Sequence, residues 1–429
     1  MSSPAPPPRA AGVPIAGAQS AAQTSGAQTS ATPAPGARTP AAQARPLAGV
    51  RVLDLTRLLP GPFASMVLAD LGAEVDKVED VGPGDYLRHM PPSVGGTSAT
   101  FLALNRGKRS LCLDLKSPAG RDAFRRLLPR YDILFEQFRP GVLERLGLGH
   151  EALRAAHPRL IVCALTGYGQ TGPLAQRAGH DLNYLARGGV LGSTGPVAGP
   201  PQVPGFQLAD VSGALYAIIG MLTALRQRDA TGEGSVVDIS MMESAMGFAV
   251  ATLAPALAGA PVSRGAEALT GGLALYRTYT TKDAKAVALG ALEPKFAAAL
   301  CSALGLPFDM STLLPGPHQA DLEAHLAARF AERTRDEWEA FAAEHEVCLE
   351  PVLLPEELLA DAHVAARRML LEVDSPGGPL RQLRTPVTPL DASPGPAPRQ
   401  GEHTRAILRE AGLDEGSIDA LVASGAARV

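Results

Sequence analysis

The sequence predicts an α/β fold, a parallel sheet wrapped by helices, and three observations carry that expectation. Short runs rich in Val, Ile and Leu recur between stretches whose apolar residues follow helical spacing. The runs are continuous rather than alternating, as strands buried on both faces require. A chain of 429 residues is also long enough for a sizeable core and for two or three domains.

The elements follow in order. VRVLDL (50–55) reads as the first buried strand, and Pro62 and Gly72 bracket a helix carrying Met66, Val67, Leu68 and Leu71. AEVDKVE (73–79) is a second strand. SLCLDL (110–115), a helix opened by Ser117 and Pro118, DILFEQF (132–138) and RLIVCAL (159–165) repeat the strand-helix-strand pattern. The glycine fingerprint of dinucleotide-binding turns is missing after the first strand, where TRLLPGPF (56–63) stands instead, which argues against a nicotinamide or flavin dinucleotide. A long helix is expected over 210–228, closed by ATGEG (230–234) and followed by the strand SVVDIS (235–240).

Residues 1–46 are almost entirely Ala, Pro, Gly, Ser, Thr and Gln, a tail that cannot bury enough apolar surface to offset its ordering entropy. Residues 47–239 then form the first part of a large α/β domain. The text over 240–350 mixes strand-like and amphipathic segments and reads as a smaller second domain. Over 351–429 a Pro/Gly-rich connector, LDASPGPAPRQGEH (390–403), leads to a helix, HTRAILREAGL, suited to packing back on the first domain.

Composition narrows the function. With 39 basic and 43 acidic residues the net charge is −4, so nucleic acid is not an expected partner. The four cysteines, Cys112, Cys163, Cys301 and Cys348, have neither metal-site nor disulfide spacing, and a reducing cytoplasm is the expected compartment. The apolar stretches 215–225 and 241–257 are too short or too interrupted for a membrane span and read as buried helices.

Six segments in fixed order, LPGPFASMVLADLGAEVDKVE (59–79), LNRGKRSLCLDLK (104–116), FRPGVLERLGLG (138–149), TGYGQTGP (166–173), TGEGSVVDISMMES (231–244) and GEHTRAILREAGL (401–413), resemble the class III CoA-transferase family. Within it the chain is most similar to the α-methylacyl-CoA racemases. The resemblance implies a doubly wound, Rossmann-like large domain built from both chain ends, a smaller α+β domain between them, and an interlocked homodimer. It also implies an acyl-CoA thioester substrate, with no metal and no cofactor beyond the CoA moiety. CoA phosphates need several local cations even on an acidic protein. Arg57, Lys77, Arg88, Arg109 and Arg139 stand near strand ends, where α/β folds bind ligands, and are the candidate CoA contacts.

A racemase must take the α-proton from one face of the substrate and return one to the other, so it needs two acid/base groups and donors for the enolate oxygen. AGHDLNYLARGGVLG (178–192) resembles the racemase form of the family, with His180 at the catalytic histidine. Its imidazole serves as acid or base near neutrality. Asp181, at an expected helix start, offers a free backbone N–H to the enolate. Asp210, in QLADVSG, matches the family's catalytic aspartate, with the helix N-cap as its structural alternative. Glu293, in GALEPKF, matches the glutamate that fixes the histidine tautomer. The segment LTGGLALYRTY departs from racemases at Thr270 and Leu273, where Asp and Pro are expected. The alternative is a CoA-transferase in which Asp210 is the nucleophile, forming a mixed anhydride and releasing CoA before it is taken back onto a second acid.

Overall fold

The computed structural model describes residues 45–429, so the Ala/Pro-rich tail expected over 1–46 lies, up to residue 44, outside the described residues. The large sheet is built from β1 (Arg51–Asp54), β2 (Glu74–Glu79), β3 (Arg109–Leu113), β4 (Ile133–Glu136), β5 (Ile161–Thr166) and β6 (Val236–Ser240). These six strands are parallel and run β3-β2-β1-β4-β5-β6 across the sheet. Chain order reverses between β1 and β4, the doubly wound arrangement in which a ligand crevice opens past the carboxyl ends of those two strands.

Continuous apolar runs form these strands because helices cover both faces. Val52, Ile133, Phe135, Ile161 and Cys163 point into one core, while Leu53, Leu134 and Val162 alternate into the other. The helices α1 (Pro60–Asp70) and α3 (Leu208–Thr231) pack in the first core. The second core is completed by Phe124 and Leu127 of helix Pro118–Leu127 and by Ile407, Leu408 and Ile418, contributed by helices Thr404–Glu410 and Glu415–Ala423. The strand Ala427–Arg428 then pairs antiparallel with β3 and closes that edge. Both ends of the described chain thus meet in one sheet.

Helix α3, with its 24 residues, is long and apolar enough to cross a membrane by length and composition, yet it lies against α1, β5 and β6 as a layer of the sheet. Its neighbour α4 (Met241–Phe248) buries Met241 and Ala245 in the same core, so the first core extends past the boundary expected at residue 240. A separate core forms further on. Strands Tyr276–Thr280, Ala286–Gly290 and Leu349–Pro351 make an antiparallel sheet, and Leu300, Phe330 and Trp338 from three helices pack on it.

Candidate active site

The site begins with a buried carboxylate at the end of β1. Asp54 accepts from the Thr56 N–H at 2.8 Å and from the Ser65 hydroxyl at 2.5 Å, and Lys108 Nζ stands 3.4 Å away. Burial alone would raise its pKa, but Lys108, Lys77 and the hydroxyls of Ser65 and Thr56, which both donate to it, outweigh that and hold it below the usual carboxylate range. These bonds turn the chain sharply after Thr56. Gly61 fits beneath, where a Cβ would come within 2.1 Å of Thr56 Cβ. The PGP sequence thereby makes the close approach that a dinucleotide fingerprint makes with other glycines.

The turn carries Arg57 out over the sheet's carboxyl edge. Its guanidinium lies 5.3 Å from the centre of the Tyr86 ring, and its carbonyl accepts from Gln137 Nε2 at 2.8 Å. Gln137 belongs to the turn after β4. There Glu136 accepts from the Phe138 N–H at 2.7 Å and meets His150 Nε2 at 3.1 Å, so a second buried carboxylate shapes the loop that ends in exposed Arg139. The Glu136 hydrogen bond raises the His150 pKa.

Two adjoining cavities open here. One, of about 380 Å³, lies past β1, β2 and β3 and is lined by Arg57, Asp80, Asp114 and Lys116. The other, of about 550 Å³, lies past β4 and β5 and is lined by Arg57, Arg139, His180 and Asp210. Arg57, Phe138 and Val142 border both, so the two form one cleft of the size that small-molecule ligands fill.

His180 and Asp210 reach that cleft from different helices. His180 precedes α2 (Asp181–Arg187), and its N–H donates to Asn183 Oδ1 at 3.0 Å. Tyr184 donates from its hydroxyl to the Gly179 carbonyl at 2.5 Å and packs edge-on against Tyr168, ring centres 5.1 Å apart. Gly167 lies so close under the Tyr184 ring that a Cβ would approach it to 2.4 Å. The TGYG segment after β5 therefore seats the tyrosine that holds the backbone before His180.

Asp210 is the third residue of α3, whose N-cap is Gln207, so its carboxylate is not consumed as a cap. Its N–H donates to Asp181 Oδ1 at 3.0 Å, which ties the starts of α2 and α3 together. Among the described residues the Asp210 carboxylate has no hydrogen-bond partner. Burial, with repulsion from Asp181, pushes its pKa up to about 7. This tie by the Asp181 side chain, and the role of Tyr184, were not legible beforehand. The Asp181 N–H is the first amide of α2 and is bonded to no described residue.

Other expected residues fall elsewhere. Lys77 is fully buried beneath the Arg57 turn, bonded to the Thr56 carbonyl at 2.6 Å and to Asp85 at 3.0 Å. Arg88 makes two bonds to Glu79, at 2.8 and 2.6 Å, and stacks 3.8 Å over Phe101. Arg109 starts β3 at the opposite, amino-terminal edge of the sheet, paired to Asp76 at 2.7 Å and to Glu410 at 2.7 Å. In each of these three arrangements the cation is already paired with a carboxylate of its own chain, and Lys77 also lines the cavity beside Arg57. Glu293 caps helix Pro294–Leu304, is exposed, and does not line the cleft that holds His180.

The chain is 39% identical over 381 residues to "Alpha-methylacyl-CoA racemase" of Mus musculus, spanning 87% of this chain and 95% of the relative. It is also 34% identical over 393 residues to "Succinyl-CoA:glutarate CoA-transferase" of the same organism, spanning 89% and 90%. Among solved structures, a CaiB/BaiF family protein from Brucella suis superposes with a TM-score of 0.75 at 33% identity, covering 86% of this chain and all of that one. Residues 47–404 match the family profile "CoA-transferase family III", and the chain belongs to that family of CoA-transferases and α-methylacyl-CoA racemases.

Proposed function

We propose that the protein is an α-methylacyl-CoA racemase-like enzyme that epimerises the carbon next to a CoA thioester through an enolate. The observation that carries the reading is that His180 and Asp210 line one cavity while the Asp210 carboxyl is raised to about 7. A carboxyl near 7 is present in both protonation states at neutral pH, so it can accept a proton from one epimer and deliver one to the other. A nucleophilic carboxylate gains nothing from being half protonated. Arg57 and Arg139, two of the three exposed arginines that line this cavity with Arg177, suit the diphosphate and 3′-phosphate of CoA. The Asp181 N–H is the donor offered to the enolate oxygen.

Glu293 does not share the cavity with His180 in one chain. If it orients the imidazole it does so from a second copy, as an interlocked homodimer would allow. The 34% identity to a CoA-transferase favours a second reading, in which Asp210 attacks the thioester carbonyl, forming an acyl-aspartyl anhydride and releasing CoA, which then returns to the aspartyl carbonyl. One experiment separates the two: incubate the enzyme with a 2-methylacyl-CoA in deuterated water, without an acceptor acid. Deuterium at the α-carbon with racemisation supports the racemase. No exchange, together with an Asp210 adduct trapped by hydroxylamine, turns the assignment to transfer.

A further inference from the structure

Arg57 is the cation that borders both cavities among the described residues, and its turn is held in an unfavourable shape. Leu58, the next residue, has φ of +65°, a left-handed conformation that costs a residue with a Cβ free energy and persists only where surroundings impose it. The surroundings are a buried ion pair. Asp85 accepts the Leu58 N–H with both carboxylate oxygens at 3.3 Å, while Lys77 bonds the Thr56 carbonyl and Asp85. The pair therefore grips the peptide units on either side of Arg57, and its side chains are 0% and 1% exposed. Both residues also line the cavity of about 380 Å³, but each charge is already matched by the other.

We infer that Lys77 and Asp85 are positioning residues that fix the Arg57 turn and thereby set affinity for the phosphate groups of a CoA thioester, acting only through Arg57. The inference rests on the CoA-thioester reading above. A wrong turn geometry costs the ligand contact even though the guanidinium is still present. Groups that act as one unit give effects that do not add.

The test is a double-mutant cycle on the full chain, with CoA dissociation constants from calorimetry and kcat and KM for a 2-methylacyl-CoA. Arg57→Ala and Asp85→Asn should each weaken CoA binding roughly 5- to 30-fold, the scale of one charged contact. The effect should fall on KM more than on kcat. In the Arg57→Ala background, Asp85→Asn should change the dissociation constant by less than about 2-fold. Multiplying effects in the double variant would overturn the inference, because a general loss of structure does not depend on Arg57. If Asp85→Asn does not fold, Lys77→Arg serves instead: it keeps the charge beside Asp85 but displaces the Thr56 contact, and the same non-additivity is required. Failure of the wild-type protein to bind CoA would sink the CoA reading, whereas additive effects in a CoA-binding protein sink only the role of Lys77 and Asp85.

Discussion

Replacing Asp210 with Asn should cost catalysis and gain stability, with a pH dependence that follows from its surroundings. The carboxyl lies half-buried among the starts of α2 and α3, has no hydrogen-bond partner among the described residues, and is raised from its ordinary 3.8 to about 7. At about 1.4 kcal/mol for each pH unit, the ionised form carries a ceiling of roughly 4 kcal/mol of unfavourable energy in the folded state. The open cavity screens part of this, so about 2 kcal/mol is the expected figure. The sign follows from proton counts. Between about pH 4 and 7 the folded state holds a proton that the unfolded chain has released, so stability falls as pH rises through that window. The penalty is complete above about pH 7 and absent below about 4. Asn removes it without changing shape. Urea denaturation of both proteins at about pH 4.5 and about pH 8 should therefore show a variant about as stable as wild type at the lower pH and more stable at the higher by roughly 2 kcal/mol. Racemisation should fall by about 10²- to 10⁴-fold. An Asp210→Asn variant that is no more stable than wild type at the higher pH, or a stability difference that does not grow with pH, would refute the reasoning.

Three further outcomes are expected. Arg139→Ala should raise KM for the acyl-CoA about 10-fold while kcat changes little, because a phosphate contact binds ground and transition states alike; steady-state kinetics would expose the reverse pattern. Arg109→Ala should leave KM unchanged and lower stability by roughly 2–3 kcal/mol, since it strands the buried Asp76 carboxylate at the sheet's far edge; a raised KM with unaltered denaturation would restore it as a ligand. His180→Ala and Asp210→Ala should each abolish net epimerisation by about 10²-fold or more yet retain slow washout of α-label from opposite epimers. Equal loss for both epimers in both variants would count against the paired bases.

The sheet was largely legible because strands buried on both faces spell themselves as continuous apolar runs, and six of them were read within a few residues of their bounds. His180 and Asp210 were also legible, but through the resemblance; alone, each passes for an ordinary residue at a helix start. The cations were harder. A sequence shows Arg88 or Arg109 near a strand end without showing which end, or which carboxylate waits there. Glu410, which meets Arg109, lies 301 residues away, and Asp76 and Glu79 come from the neighbouring strand β2. The surroundings of Lys77 were hidden for a related reason: strand alternation turned it inward under a turn whose shape the sequence did not reveal. Asp85 left one faint signal, as the cap of the short helix Tyr86–His89, which hid its second task of gripping Leu58.

The pairing of Ala427–Arg428 with β3 has a consequence for how the protein comes to exist. During translation β3 emerges with one edge bare, and its proper cover is encoded more than three hundred residues downstream. At roughly 5–20 residues per second that edge stays open for about 15 to 60 s on the ribosome. An uncovered strand invites any other strand to pair with it. Nascent chains of this protein should therefore be most vulnerable to association with one another in that interval, and a stop codon just before residue 427 should yield chains that keep their cleft residues but accumulate in the insoluble fraction.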